Sequence, residues 1–354
     1  MNQLARRVIE TSIRDGVFPG ATIEVGDAGG PLWQDALGTL TFEPGAAAVQ
    51  LETAYDLASL TKALATTTLV MALVHRDQLH FDTLVAQCFD EWRGADREMV
   101  TVRDLLEHAS GLSARLVDAP PSGRREFEHE ICAMPLEYEP RTRSTYSDLG
   151  FILLGFLVAD RGVAPLATQF ARFGRARGAA FDLFPIQKVA AAPTIPLDED
   201  VRRGRLLVGE VHDNYAHALG GAAGHAGVFA GVAAVGSLAR LWLRAARASS
   251  GSRGATGDDE LPEPFSPPLV KRVLTKSTVP GSSRALGWDT MLPTSSCGTK
   301  MSSRAFGHVG YTGTSLWIDP ERNRYYVLLT NRACGGGTID QMRDVRRAFH
   351  DALA

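Results

Sequence analysis

Residues 63–74 contain no charged residue, no Gly and no Pro, and their Ala, Leu, Val, Met and Thr are compatible with a helix. Such a helix has no polar face to turn to water. It must be buried, and the rest of the chain must enclose it. Ser59-Leu60-Thr61-Lys62 stands at its head. Residues three apart share a helix face, which would lay Lys62 against the Ser59 hydroxyl. A serine at a helix N-terminus lies at the positive end of the dipole, which favours a developing alkoxide. A neutral lysine amine beside it can take the proton. The chain has five Lys and thirty-two Arg. It usually spells positive charge as Arg, so a Lys next to an apolar run points to a group that must be able to lose a proton. The alternative is a capping serine and a lysine at the helix's polar end, because a four-residue match often arises by chance.

The patterning around this run divides the chain. Residues 3–16 read as a helix, 21–26 and 32–40 as a hairpin of strands, and 101–108 as a short amphipathic helix capped by Thr101 and stopped at Gly111. Residues 114–140 read as irregular with one helical turn. Tyr146-Ser147-Asp148 precedes a second apolar helix, 149–159, with Ser147 or Asp148 as its cap. Residues 163–180 and 232–248 read as helices, and 181–227 as mostly loop, dense in Gly and Pro. The last quarter turns to period two. Short strands near 285–289 and 305–308 are followed by 315–319 and 325–330, joined by a turn at 320–323, and an amphipathic helix closes the chain at 338–353. Strands at both ends with helices between them predict an α+β fold: one antiparallel sheet flanked by N- and C-terminal helices, with an inserted all-helical lobe. On this reading the sheet lobe covers about 1–82 and 281–354. The helical lobe covers about 83–280, with a mobile insertion at 249–268, and the whole is a single domain.

Composition excludes several functions. With 22% charged residues and a net charge of −3 there is no basic footprint for nucleic acid. The apolar stretches 63–74 and 149–159 are shorter than a membrane span, and no signal-type apolar segment opens the chain, so a soluble cytoplasmic protein is expected. Cys88, Cys132, Cys297 and Cys334 are scattered, as free thiols in a reducing compartment would be. His212, Asp213, His217 and His225 fit no zinc spacing, and no Gly-Lys-Ser/Thr follows Gly220-Gly221-Ala222-Ala223-Gly224. No metal or cofactor is expected. His212–Asn214 and His225 are expected to pin loops or line a pocket, and His108 to fasten a loop.

Acyl transfer by serine needs a nucleophile, a base, a proton donor and an oxyanion hole. Three features occur in a fitting order: Ser59 with Lys62, then Tyr146, then His308-Val309-Gly310-Tyr311-Thr312-Gly313-Thr314. Lys62 and Tyr146 can share proton handling if a nearby positive charge holds the phenol acidic. His308 could contribute to that field or orient substrate. Gly310 would let substrate lie close, and the Tyr311 N–H could pair with that of Ser59 as the oxyanion hole. Taken singly, Tyr146 also reads as a half-buried aromatic beside a cap, and His308 as a solvated strand-end residue. Trp288, Trp317, Phe306 and Tyr311 could form an apolar substrate wall, with Trp317 more simply in the sheet core.

In order and wording these motifs resemble the serine β-lactamase and penicillin-binding-protein superfamily, and most closely its class C-like branch of serine hydrolases. In that branch Tyr heads the second motif and the third begins with Lys or His. Leu105-Leu106-Glu107-His108-Ala109-Ser110-Gly111-Leu112 matches a phrase typical of the branch, and the resemblance spans about 20 to 350. It implies Ser59 as nucleophile, Lys62 and Tyr146 as base and acid, and the Ser59 and Tyr311 N–H groups as oxyanion hole. Asp148, His308, Val309, Gly310 and Thr312 would bind substrate. Two positions depart from the pattern. Asp148 stands where Asn is usual; ionised, it cannot donate as the amide does, and its charge would act on Lys62. Val309 stands where Thr or Ser is usual, so a hydroxyl that helps hold a substrate carboxylate is missing. The expected activity is an acyl-enzyme hydrolase of an ester, a β-lactam, an amide or a D-amino-acid peptide, with the departures leaning away from carboxylate-bearing β-lactams. The rival is a non-catalytic ligand-binding module on the same scaffold.

Overall fold

The computed structural model describes residues 2–117, 119–176, 182–183, 191–251 and 261–353. The strands in chain order are β1 (Gly20–Asp27), β2 (Gly30–Gly38), β3 (Tyr55–Asp56), β4 (Asp182–Leu183), β5 (Val228–Ala230), β6 (Asp289–Thr290), β7 (Phe306–Val309), β8 (Ser315–Asp319) and β9 (Arg324–Thr330). The helices are α1 (Asn2–Arg14), α2 (Thr68–His75), α3 (Val102–Leu106), α4 (Gly123–Ala133), α5 (Asp148–Arg161), α6 (Leu166–Arg175), α7 (Asn214–Ala218), α8 (Val232–Ser249), α9 (Pro267–Leu274) and α10 (Ile339–Leu353). A π-helical segment, Lys62–Thr67, leads directly into α2.

The main sheet has the order β2-β1-β9-β8-β7-β6, and its pairings are antiparallel. N-terminal β1 thus pairs with C-terminal β9, so both ends of the chain build the centre of one sheet. Period-two alternation divides its side chains between two faces. Trp317, Tyr326 and Leu328 meet Ala5 and Ile9 of α1 and Phe349 of α10 on one face. Leu316, Ile318, Val327 and Leu329 join the larger core on the other. Trp317 is therefore sheet core, as its place in the strand pattern suggested. A smaller sheet, β3-β5-β4, lies under the Ser59 segment.

The helical part differs from expectation in several places. Residues 123–133, expected as irregular, form α4, which buries Phe127 and Ile131. The expected loop 181–227 contains β4 and the short helix α7, although residues 184–190 lie outside those described. The helix expected at 163–180 is seen as α6, with 177–180 also outside. Of the expected mobile insertion 249–268, residues 252–260 lie outside the described residues. Its far end is fastened: Phe265 is fully buried against Trp242, with ring centres 5.0 Å apart, and Pro267 opens α9. Pro at the first helical turn suits α9 because the missing N–H has no intrahelical partner there.

The two expected lobes also interlock. Helix α8, expected in the helical lobe, packs on β1 and β9, whereas α2, expected in the sheet lobe, packs on α5. The reason is the all-apolar surface of 63–74, which only the equally apolar α5 and its neighbours can cover. Among the described residues no single helix is long and apolar enough to cross a membrane.

Candidate active site

Three segments converge: the turn at Ser59, the N-terminus of α5, and the β7–β8 connection. Ser59 sits in a turn outside the regular helix, preceded by Ala58 at φ +46°. A left-handed alanine costs about 1–2 kcal/mol. The turn is held by the Ala58 N–H donating to Asp56 Oδ1 at 2.8 Å and the Leu57 N–H donating to the Val228 carbonyl at 2.9 Å. The helix beyond is a π-helix from Lys62 to Thr67, where the sequence pattern suggested a plain α-helix. Thr67 Oγ1 donates to the Lys62 carbonyl at 2.8 Å within it. Wider π-turns recur at functional sites.

Lys62 is 0% exposed, and its Nζ reaches Ser59 Oγ at 2.8 Å, Asp148 Oδ1 at 2.7 Å and the His225 carbonyl at 3.1 Å. An ammonium has three protons, and these three acceptors use them all. Burial pulls the Lys62 pKa down, but the charge of Asp148, aided by Tyr146, outweighs it and raises the pKa above the ordinary lysine value. Asp148 moves the opposite way. Burial disfavours its charge, yet Lys62, His225 and Arg115 lower it below the ordinary carboxylate value. The resting pair is thus an ammonium and a carboxylate, and the neutral amine expected from the sequence is corrected.

Asp148 is itself anchored. Ser147 caps α5 by accepting from the Gly150 N–H at 3.4 Å, which places Asp148 in the first turn. Its Oδ2 accepts from Arg115 Nη1 at 2.9 Å. Arg115 Nη1 also reaches Asp213 Oδ2 at 2.9 Å, and Asp213 Oδ1 meets His225 Nε2 at 2.8 Å. Burial raises the Asp213 pKa, but His225 and Arg115 hold it well below the usual range. Both Asp148 oxygens are therefore engaged inside the protein, and it does not line the cavity, so its expected substrate-binding role is corrected to a bridge between Lys62 and Arg115. The His225 carbonyl reaches Lys62 because Gly224 packs directly on Gly155 of α5, where a Cβ on either would strike the other's backbone.

Tyr146 is half-buried, with Lys62 Nζ 4.8 Å from its ring centre and the Arg284 guanidinium 5.2 Å away. His108 lies against the same ring at 4.6 Å and accepts the Ser147 N–H on Nδ1 at 3.0 Å, the fastening role expected of it. His308 is buried, not solvated. Burial and then the charges of Arg284 and Lys62 hold its pKa well below the ordinary value. It is neutral and adds no positive field; the cations beside Tyr146 are Lys62 and Arg284. Its Nδ1 lies 2.9 Å from the Val309 carbonyl, and Nε2 has no partner among the described residues.

Gly310, expected to let substrate lie close, lines the cavity, and its own close approach is to the protein. A methyl there would collide with Thr314 Oγ1 and the Leu57 carbonyl, beside Ser59. Thr312 does not face substrate: it is buried and donates Oγ1 to the Asp56 carbonyl at 2.7 Å. Thr314 Oγ1 donates likewise to the Leu57 carbonyl at 3.0 Å. These hydroxyls fasten the strand edge to the Ser59 segment, so the expected substrate-binding role of Thr312 is corrected to a structural tie. Tyr311 is 44% exposed and stacks on His212 at 5.2 Å. Among the described residues no acceptor takes the N–H of Ser59 or of Tyr311.

A cavity of about 380 Å³ opens over this arrangement, lined in part by Ser59, Tyr146, His308, Val309, Gly310 and Tyr311. Arg284, Arg332 and Arg346 also contribute to its wall. Sequence reasoning missed Arg115, Arg284 and the Asp56 ties. Arg115 lies in a polar stretch without a motif. For Asp56 a signal was present: an Asp two residues before a turn residue commonly accepts that residue's N–H.

Ser59 in its turn and Lys62 near the head of the buried helix thus form a Ser–Lys pair at the edge of the cavity. A sequence profile of the β-lactamase family matches residues 5–348, and the chain belongs to that family. It is 30% identical over 317 residues to a protein of Escherichia coli O157:H7 named "Putative D-alanyl-D-alanine carboxypeptidase", covering 79% of this chain and 69% of the relative. Among solved structures, "EstCE1, a hydrolase with promiscuous acyltransferase activity" superposes with a TM-score of 0.76 at 18% identity, over 99% of this chain and 98% of that one. The class C β-lactamase of Rhodobacter sphaeroides superposes with a TM-score of 0.72 at 18% identity, over 99% and 100%. At these identities the superpositions establish the shared α+β fold.

Proposed function

We propose that Ser59 is the acylated nucleophile of this serine hydrolase, and that Lys62 and Tyr146 handle its proton as a pair. The observation that carries this reading is the 2.8 Å contact between Lys62 Nζ and Ser59 Oγ inside a buried charge network. Ser59 Oγ forms the new bond to the substrate carbonyl, and its proton passes to the Tyr146 oxygen of the Lys62–Tyr146 pair, which takes it only after the pair has released one proton to solvent. Lys62 arrives protonated, so its ammonium stabilises the developing alkoxide electrostatically. The Ser59 and Tyr311 N–H groups, which have no acceptor among the described residues and whose residues both line the cavity, serve as the oxyanion hole for the carbonyl oxygen. When the carbonyl–leaving-group bond breaks, the pair returns the proton to the leaving oxygen or nitrogen. Water then attacks the acyl-enzyme, releases the acid and restores Ser59.

The proposed substrates are small esters, amides or D-amino-acid peptides. The last class is supported by the name carried by the curated relatives. Val309 lacks the hydroxyl usual at its position and lines the cavity, which favours acyl donors not held by a carboxylate there. Treatment with a fluorophosphonate or a short-chain nitrophenyl ester should leave a single adduct on Ser59, located by mass spectrometry. In Lys62→Ala the adduct should form about a hundredfold or more slowly. An unmodified Ser59, or equal labelling in the variant, removes the reading.

A further inference from the structure

Asp56 is bonded to both halves of the site. Its Oδ1 accepts the N–H of Ala58, the left-handed residue that sets Ser59. Its Oδ2 accepts the N–H of His212 at 2.6 Å, and the His212 ring stacks on Tyr311. Its backbone carbonyl accepts the hydroxyl of Thr312, the residue after Tyr311. One residue thus touches the neighbour of each proposed oxyanion donor, by two independent routes on the Tyr311 side. From this geometry we infer that Asp56 is a positioning residue, which sets the spacing between the Ser59 and Tyr311 N–H groups through its ionised carboxylate and its carbonyl. The inference rests on the acyl-enzyme reading for its catalytic consequence, though not for the structural link.

The carboxylate form matters because both oxygens accept from N–H groups. A proton on either oxygen would face one of those donors and break a tie. Asp56 is fully buried, and the charged and titratable groups around it are Asp213, Arg202 and His212. Burial, partly offset by the His212 and Ala58 N–H bonds, raises its pKa to about 6. Asp213 raises it further, while Arg202 lowers it. Arg202 also donates to the Val211 and His212 carbonyls at 2.7 and 3.2 Å, and so holds that loop from its other side. Above pH 6 the carboxylate is ionised and both ties stand. Below it one oxygen carries a proton and its tie is lost.

The test is Asp56→Asn, whose amide can accept from only one of the two N–H groups. With a short-chain nitrophenyl ester, kcat should fall at least tenfold while KM stays within threefold. The wild-type acid limb of kcat near pH 6 should vanish in the variant. Hydrogen exchange at pH 7, which needs no turnover, should show faster exchange in peptides covering 57–60 or 211–213, the segments whose N–H groups the two carboxylate oxygens accept, with β1 and β9 unchanged. Undiminished kcat, a persisting acid limb, or loosening of neither segment overturns the inference. If the wild type hydrolyses no ester, the Ser59 reading falls, and the exchange result alone decides whether Asp56 links the two segments.

Discussion

The two walls of the cavity are held in opposite ways. Behind Ser59 and Lys62 lies a charge network that runs from buried Lys62 through Asp148 to the partly exposed Arg115 and on to Asp213, which meets His225. Across the cavity, the β7–β8 edge is fastened by donors on backbone carbonyls and by the missing side chain of Gly310: the Thr312 and Thr314 hydroxyls donate to Asp56 and Leu57, and the Arg332 and Arg346 guanidiniums donate to the carbonyls of Tyr311, Gly310 and Thr314. Charge on one wall decides which protonation states exist. Close packing and donors on backbone carbonyls decide distance on the other. Hence the first wall should respond to pH and to charge removal, and the second to the addition of volume.

The sharpest break of the charged wall is Asp148→Ala, which leaves Lys62 buried without its partner. About 3–5 kcal/mol of stability should be lost, measurable by urea unfolding. Asp148→Asn keeps the shape and removes the charge. The sign of its pH dependence follows from the lowered Asp148 pKa. In the wild type that contribution is present above the ordinary carboxylate pKa and is lost as pH falls through the folded value. Lys62, with its raised pKa, contributes below the ordinary lysine value and loses that contribution as pH rises through the folded one. Asp148→Asn should therefore flatten the acid fall in stability and remove the alkaline loss tied to Lys62, because burial then pulls the Lys62 pKa down; a curve parallel to the wild type would contradict the ion pair.

On the β7–β8 wall, Gly310→Ala should push the strand edge off the Leu57 carbonyl. A displacement of about 1 Å at a reacting centre costs on the order of a hundredfold in rate. Acylation of Ser59 should slow by about that factor, with little change in the pH profile, because no charge is altered. A shifted profile would show that the two walls are not separable. The smallest effect is expected from Val309→Thr, which restores a hydroxyl on the cavity wall. It should raise turnover of a carboxylate-bearing chromogenic cephalosporin more than that of a nitrophenyl ester. Equal gains on both would show that this position does not discriminate carboxylates.

Helix burial, the strand pattern of both termini and the order of Ser59, Lys62, Tyr146 and His308–Thr314 were all legible along the chain. Each is a local regularity: an uncharged run, a period of two, a short motif. The same patterns left α4 and α9 unread, because their stability comes from burying Phe127, Ile131 and Val270 against partners distant in sequence. They also placed Asp148 and Thr312 on the substrate, since motif position says which residues gather at a site and not which way each side chain points.

What the sequence alone determined is the chemistry available: a serine beside a lysine on an uncharged helix, and a glycine-bounded strand edge to face them. Only the tertiary structure decided the states of these groups. Lys62 carries its proton because Asp148, eighty-six positions further along the chain, lies 2.7 Å away in the same buried space. His308 is neutral because the fold buries it near Lys62 and Arg284. Protonation depends on burial and on charges brought near through space, and neither is written in the spacing of residues along a chain.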